Sequence, residues 1–222
     1  LMGSLNLLNS LTNLRTKLSL VMITTDKVYK NKEWIYGYRE QDELGGYDPY
    51  SASKAACEMA IDSWRLSYCE PKNNEETLLR IASARSGNVI GGGDWSKDRI
   101  IPDAIRALNK NTEIILRNPN STRPWQHVLD PLSGYILLAE KLYKYSQENN
   151  NDLKNKFATS YNFGPSIESN KKVIELVEEI SKYWSGLKVK NTIDNNFHEA
   201  NRLNLQTDKS FHFLQWRPKW DF

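Results

Sequence analysis

The sequence predicts an α/β fold built on a parallel sheet, and three observations carry that prediction. A short, nearly continuous apolar run, residues 19–24, reads as a strand covered on both faces, and residues 77–85 read as a second buried strand. Each follows a stretch with helical spacing: Leu1, Leu5, Leu8, Leu11 and Leu14 within residues 1–17, then residues 50–68, after which Pro71 stops the helix. Between the first strand and the second helix runs a long polar segment, residues 26–49, holding Gly37, Gly45, Gly46 and Pro49. Helix, strand, loop, helix, strand is the order that builds parallel sheets. A loop of that length inside a domain usually carries function.

The second half reads in turn as follows. Gly91, Gly92 and Gly93 mark a loop. Residues 101–108 suit a helix with Pro102 in its first turn. Residues 113–117 suit a strand closed by Asn118 and Pro119, and residues 131–145 an amphipathic helix. A polar stretch, residues 146–156, reads as a surface loop. A short strand at 160–163, a helix at 171–184, a strand at 188–193 and a last helix at 208–214 complete the prediction.

Composition excludes several classes of function. The 222 residues are 39% hydrophobic and 26% charged, which is globular rather than disordered. The formal net charge is +3, with both signs mixed along the chain, so no basic stripe points to nucleic acid. No apolar run approaches the ~20 residues of a membrane span. Cys57 and Cys69 cannot form a disulfide framework or a four-thiolate metal site, and His127, His198 and His212 are too scattered to suggest a metal. A reducing, cytoplasmic setting is expected.

The chemistry concentrates around Tyr50 and Lys54. Four residues apart on a helix, they share one face. A phenol is a poor base at neutral pH, but a neighbouring ammonium stabilises the phenolate. Such a pair suits interconversion of an alcohol and a ketone. Upstream, the strand ends in Thr24, Thr25, Asp26 and Lys27. Ligands of open α/β sheets bind beyond the carboxyl ends of strands, which makes this segment a candidate site, although Thr25 and Asp26 alone would also suit a simple turn. Gly91–Gly92–Gly93 matches neither common phosphate-loop pattern.

The blocks around these residues resemble a known family. TTDKVY after a strand, GGYDPYSASK, SARSGNVIGGGDW, RNP, TRPWQHV, YNFGP and HEA follow one another across nearly the whole chain. Their order and content are similar to the extended short-chain dehydrogenase/reductases that act on nucleotide sugars, and within these to the CDP-glucose 4,6-dehydratases. The resemblance implies the C-terminal part of a Rossmann-like, doubly wound parallel sheet plus a smaller α/β substrate-binding domain. Residues 1–90 would then complete the dinucleotide-binding domain, and residues 91–222 would mainly bind the nucleotide sugar. It implies NAD as cofactor, CDP-glucose as substrate, and a homodimer through the helix that carries Tyr50.

Roles follow from the same resemblance. Tyr50 would take the proton of the sugar 4-hydroxyl, and Lys54 would lower its pKa and hold the nicotinamide ribose, with Thr24 also at the cofactor. Thr25 would hydrogen-bond near the 4-oxygen. Asp26 matches the acid that protonates the departing 6-hydroxyl. Related dehydratases carry Glu where this chain has Lys27, so Lys27 is either the base for the C5 proton or a cation that stabilises the enolate. Arg123, whose guanidinium suits a pyrophosphate, joins Asn88, Arg117 and His198 as substrate-binding candidates.

The family places a first strand and a Gly-rich turn ahead of the catalytic strand, and the chain begins at Leu1 without that pattern. The expectation is therefore a piece of a longer enzyme, binding NAD poorly and inactive by itself. Two other readings stay open: an epimerase or ketoreductase of the same fold, which needs Tyr50 and Lys54 but no elimination acid, and a non-catalytic remnant that binds a CDP-sugar.

Overall fold

A computed structural model describes residues 1–14, 16–69, 78–148, 156–191 and 200–222. A parallel three-stranded sheet organises the first half. Strand β1 (Leu18–Ile23) pairs with β2 (Leu79–Arg85) from Leu18↔Leu79 to Ile23↔Ala84. The other edge of β2 pairs with a strand from far along the chain, Ser160–Asn162. Helix α1 (Met2–Ser10) precedes β1, and α2 (Pro49–Tyr68) lies between β1 and β2.

The period-two alternation of strand side chains sorts the core into two faces. Leu18, Leu20, Met22, Leu79 and Ile81 point to one side, where they pack with Leu8 of α1 and Cys57 and Ile61 of α2. Val21, Ala82 and Ala84 point to the other, against Leu138 and Leu142 of a long helix, Leu129–Ser146, and against Phe163, Leu214 and Trp216. The sheet is thus covered by helices on both sides, and its strands run in one direction.

Helix α2 begins where its chemistry dictates. Asp48 caps it, accepting from the Ser51 backbone N–H at 3.0 Å and the Ser51 hydroxyl at 2.6 Å. Pro49 occupies the first turn, where a missing N–H costs nothing. Helix α1 is shorter than the leucine pattern predicts. Ser10 and Thr12 turn their hydroxyls back onto the carbonyls of Leu7 and Asn9, and the helix ends at Ser10. Leu11 and Leu14 still pack onto the core from beyond its end.

The smaller layer uses β3 (Val89–Ile90), α3 (Ile100–Lys110), β4 (Glu113–Leu116), β5 (Thr122–Pro124) and β6 (Gln126–His127). Then come α4 (Leu129–Ser146), β7 (Ser160–Asn162), β8 (Asn170–Lys172), α5 (Val173–Tyr183), β9 (Lys188–Asn191) and α6 (Asp208–Leu214). Pairing is parallel in β3–β6 and β4–β9 and antiparallel in β5–β8. Ala104, Ala107, Ile114, Leu116 and Val177 form this layer's own core.

Three expectations change. The first strand is only half-buried along most of its length, whereas every residue of β2 is buried. The predicted helix at 171–184 begins at Val173, because Lys171 and Lys172 pair with Arg123 and Thr122. The 26–49 loop holds a 3₁₀ turn, Asp26–Val28, and a bridge between Tyr29 and Leu44. Tyr29 and Tyr38 stack at 5.1 Å over Leu203 and Leu205 and anchor that loop. Thr77, residues 192–193 and His198 lie outside the described residues.

Candidate active site

The site assembles at the carboxyl end of β1, where Thr24, Thr25 and Asp26 are all buried. Thr25 caps the 3₁₀ turn, its hydroxyl accepting from the Lys27 N–H at 3.4 Å and donating to Asp26 Oδ1 at 3.0 Å. The other carboxylate oxygen of Asp26, Oδ2, is buried with no hydrogen-bond partner among the described residues. Burial pushes the Asp26 carboxyl above its ordinary value, against the opposing pull of the Thr25 hydroxyl and of the Lys27 and Arg123 charges. A raised value favours the protonated carboxyl, the form that general acid catalysis uses.

Gly87 makes room for it. A Cβ at this position would stand 2.1 Å from Asp26 Cγ, far inside van der Waals contact. The next residue, Asn88, has φ 52°, a left-handed conformation that Asn tolerates better than most side chains. This turn carries the chain from β2 into the cavity wall.

Tyr50 sits in the first turn of α2 and is half exposed, and Lys54 lies one turn on, partly exposed. The helix packs against the Asp26–Val28 turn, so the phenol, the amine and the acid segment come from adjoining elements.

Two cavities open beside this corner and share Lys27, Asn88 and Arg123 as common wall. One, of ≈ 410 Å³, runs past Trp95, Ile101 and Ile115 to Arg117. The other, of ≈ 530 Å³, runs under the loop of Gly45 and Gly46 to Asp48 and Ser51 at the start of α2. Lys27 is exposed on that wall. Arg123 is buried, its Nη1 donating to the carbonyls of Thr122 at 3.0 Å and Ala200 at 2.7 Å. Arg117 is exposed at the rim, and its Nη2 reaches Asp98 Oδ1 at 2.5 Å. Asn88, Arg117 and Arg123, 35 positions apart in sequence from first to last, therefore converge on one cavity.

Sequence reasoning missed two sets of groups. Tyr135 of α4 bonds the Ser86 hydroxyl at 2.5 Å and interacts electrostatically with Asp26. Beneath Thr24 lies a charged network: Glu58 and Arg85 form an ion pair at 2.7 Å, both almost wholly buried. Arg85 also donates to the Tyr29 hydroxyl at 2.8 Å, which donates to Asn162 Oδ1 at 2.7 Å. Arg85 at the end of a predicted buried strand, and Glu58 one turn beyond Lys54, were the available signals.

Among the described residues no cluster of His, Cys, Asp and Glu is arranged to hold a metal, and no helix is long and apolar enough to cross a membrane.

Comparison with known proteins gives the chain's relatives. The chain is 44% identical over 221 residues to the CDP-glucose 4,6-dehydratase of Salmonella typhimurium, covering 99% of this chain and 59% of that protein. The chain thus spans about three fifths of that relative's length. A dTDP-glucose 4,6-dehydratase from Bacillus anthracis, solved with NAD, superposes with a TM-score of 0.79 at 22% identity, over 100% of this chain and 63% of that one. A UDP-glucuronic acid 4-epimerase from Bacillus cereus, solved with UDP-glucuronic acid and NAD, gives a TM-score of 0.76 at 16% identity, over 99% of this chain and 62% of that one. These two likenesses establish the Rossmann-like fold. The sequence profile described as GDP-mannose 4,6 dehydratase matches residues 1–222 from end to end. With the strand-end acid, the Tyr–Lys helix and the shared cavity wall in place, the chain belongs to the GDP-mannose 4,6 dehydratase family.

Proposed function

We propose that the protein carrying this chain removes water from CDP-glucose, giving CDP-4-keto-6-deoxy-glucose. The observation that carries the reading is Asp26: a buried carboxyl at the end of β1, inclined to keep its proton, beside the Thr25 hydroxyl. An epimerase of the same fold uses a Tyr–Lys pair but has no elimination for such an acid to serve. The choice of CDP-glucose is supported by the 44% identity to the Salmonella enzyme.

The residues present fit the nicotinamide-ribose end of NAD. A half-exposed phenol with an amine one turn later, at the carboxyl end of β1, is a suitable cradle for that ribose and for a sugar hydroxyl. Thr24, next along the chain from β1, is assigned to the cofactor side with them. When bound, NAD supplies reversible hydride chemistry.

The chain's own residues supply the rest. Tyr50 takes the proton from the 4-hydroxyl, and Lys54 stabilises the resulting phenolate. Thr25 hydrogen-bonds near the 4-oxygen. The ketone formed at C4 acidifies the proton at C5; the Lys27 amine takes that proton, and the ammonium so formed stays against the developing enolate. Asp26 gives its proton to the departing 6-hydroxyl, which leaves as water. Arg123 and Arg117 hold the pyrophosphate, and Asn88 lines the same wall. His198 keeps its proposed place on the substrate. Residues 1–90 serve mainly the cofactor side and residues 91–222 mainly the nucleotide sugar. Met59 and Leu66, exposed on the outer face of α2, support the expected homodimer.

The test is incubation of the whole protein with CDP-glucose and NAD, followed by mass analysis. A nucleotide sugar lighter by one water supports the proposal, and an isomer of unchanged mass sinks it in favour of an epimerase. Retained CDP-sugar binding without any turnover would point to a non-catalytic protein.

A further inference from the structure

Tyr50, Lys54 and Glu58 occupy positions i, i+4 and i+8 of α2, so they form one stripe of the helix. Tyr50 is half exposed and Lys54 partly exposed, whereas Glu58 is only 2% exposed. Its carboxylate is fully engaged. Oε1 accepts from the Thr24 hydroxyl at 2.5 Å, and Oε2 accepts from the Ser83 hydroxyl at 2.9 Å and from Arg85 Nη2 at 2.7 Å. Burial opposes its ionisation, but the Arg85 bond and charge and the two hydroxyls outweigh this and hold the carboxyl below its ordinary value.

The identity of those partners matters. Thr24 follows the last residue of β1 and directly precedes Thr25, Asp26 and Lys27. Ser83 and Arg85 lie on the α2-facing side of β2, in the same alternation as Leu79 and Ile81. Arg85 extends the tie, donating to the Glu40 carbonyl and to Ser160 Oγ, each at 3.1 Å. One side chain thus joins the helix that bears the acid–base pair to the strand end that bears the elimination acid. Apolar burial of Cys57 and Ile61 also holds α2 on the sheet, but that attraction is non-directional and leaves sliding and rotation soft. Charge-assisted hydrogen bonds to partners on two strands do not.

We propose that Glu58 is a positioning residue: by bridging Thr24, Ser83 and Arg85, its carboxylate sets the register of α2 against β1 and β2, and with it the placement of Tyr50 and Lys54 relative to Thr25 and Asp26. This rests on the reading of Tyr50 and Lys54 as the acid–base pair.

The test places 3-fluorotyrosine at position 50 of the chain and follows its fluorine resonance in Glu58→Gln, Thr24→Val and Thr24→Ser. Leu142→Ala, in the core on the opposite face of the sheet, controls for lost stability. Glu58→Gln and Thr24→Val are expected to shift or split the resonance, Thr24→Ser to restore it, and Leu142→Ala to lower the melting temperature without moving it. If Glu58→Gln does not fold, Thr24→Val decides, because it leaves the Glu58–Arg85 pair in place. In the whole protein Thr24→Val should lower kcat about tenfold or more with little change in KM, as expected for misplacement of reacting groups. A resonance and a kcat that stay as in the unaltered protein while the melting temperature falls would overturn the proposal. A resonance that moves while Tyr50→Phe keeps full activity would leave the positioning intact and reject the acid–base reading instead.

Discussion

Asp26→Asn should make the folded chain more stable while stopping its chemistry. The folded carboxyl titrates above the ordinary 3.8 because burial disfavours its charge. A group raised in the folded state contributes stability that is fully present below the unfolded value and is lost as pH rises through the folded value. Above that point the chain holds a buried carboxylate with Oδ1 bonded to Thr25 and Oδ2 unpartnered among the described residues. An unsatisfied buried polar group costs about 1–3 kcal/mol. The amide keeps the shape and removes the charge, at the loss of the attractions to Lys27 and Arg123. A net gain of about 1–2 kcal/mol near pH 8 follows, or about 2–8 °C in melting temperature for a chain of this size. The gain should shrink as pH falls toward about 4, where the unfolded carboxyl also takes its proton. Thermal melts followed by tryptophan fluorescence across that range measure it. A variant that melts lower at pH 8, or a gain that ignores pH, would show Asp26 to be a stabilising, ionised partner of Lys27 and Arg123 instead. In turnover the same variant should lose about 10²–10⁴-fold, the usual worth of a general acid.

Other changes test neighbouring parts of the site. Gly87→Ala must drive the Asp26 carboxylate away from a Cβ that would otherwise stand 2.1 Å from its carbon, so kcat should fall about 10²-fold with a measurable loss of melting temperature. Tyr50→Phe should retain the fold by circular dichroism and lose about 10²–10⁴-fold in turnover, since its half-exposed ring is not part of the core. Lys27→Met should slow elimination more than oxidation, so that reduced nicotinamide, seen by its near-ultraviolet absorbance, accumulates on mixing with NAD and CDP-glucose. Equal loss of both phases would remove Lys27 from the C5–C6 step.

What could be read from the chain, and what could not, divides along a physical line. Helix α2, strand β2 and helix α6 stood out because their signals are local: residues 50–68 carry helical spacing, residues 77–85 read as a buried strand, and residues 208–214 match the observed α6. The short strands β3, β5, β6 and β8 carry no such pattern. They exist through partners far away, as when Arg123 pairs with Lys171, and a two- or three-residue strand has no periodicity to show. The half-burial of β1 likewise depends on what lies beside it. For the site, the Tyr50–Lys54 spacing and the Thr24–Lys27 segment were visible as local patterns. The convergence of Asn88, Arg117 and Arg123 on one cavity, and the Glu58–Arg85 pair closed across 27 residues, are products of the tertiary fold.

The proposed reaction is an internal redox elimination, in which hydrogen leaves C4 of the sugar and returns at C6. Its most direct test gives the whole protein NAD and CDP-glucose deuterated at C4, then locates the label by nuclear magnetic resonance and mass. The expected product is a 4-keto sugar nucleotide that has lost one water and carries the deuterium in its new methyl group. Deuterium found again at C4 of an isomer of unchanged mass, or washed into solvent, would contradict it.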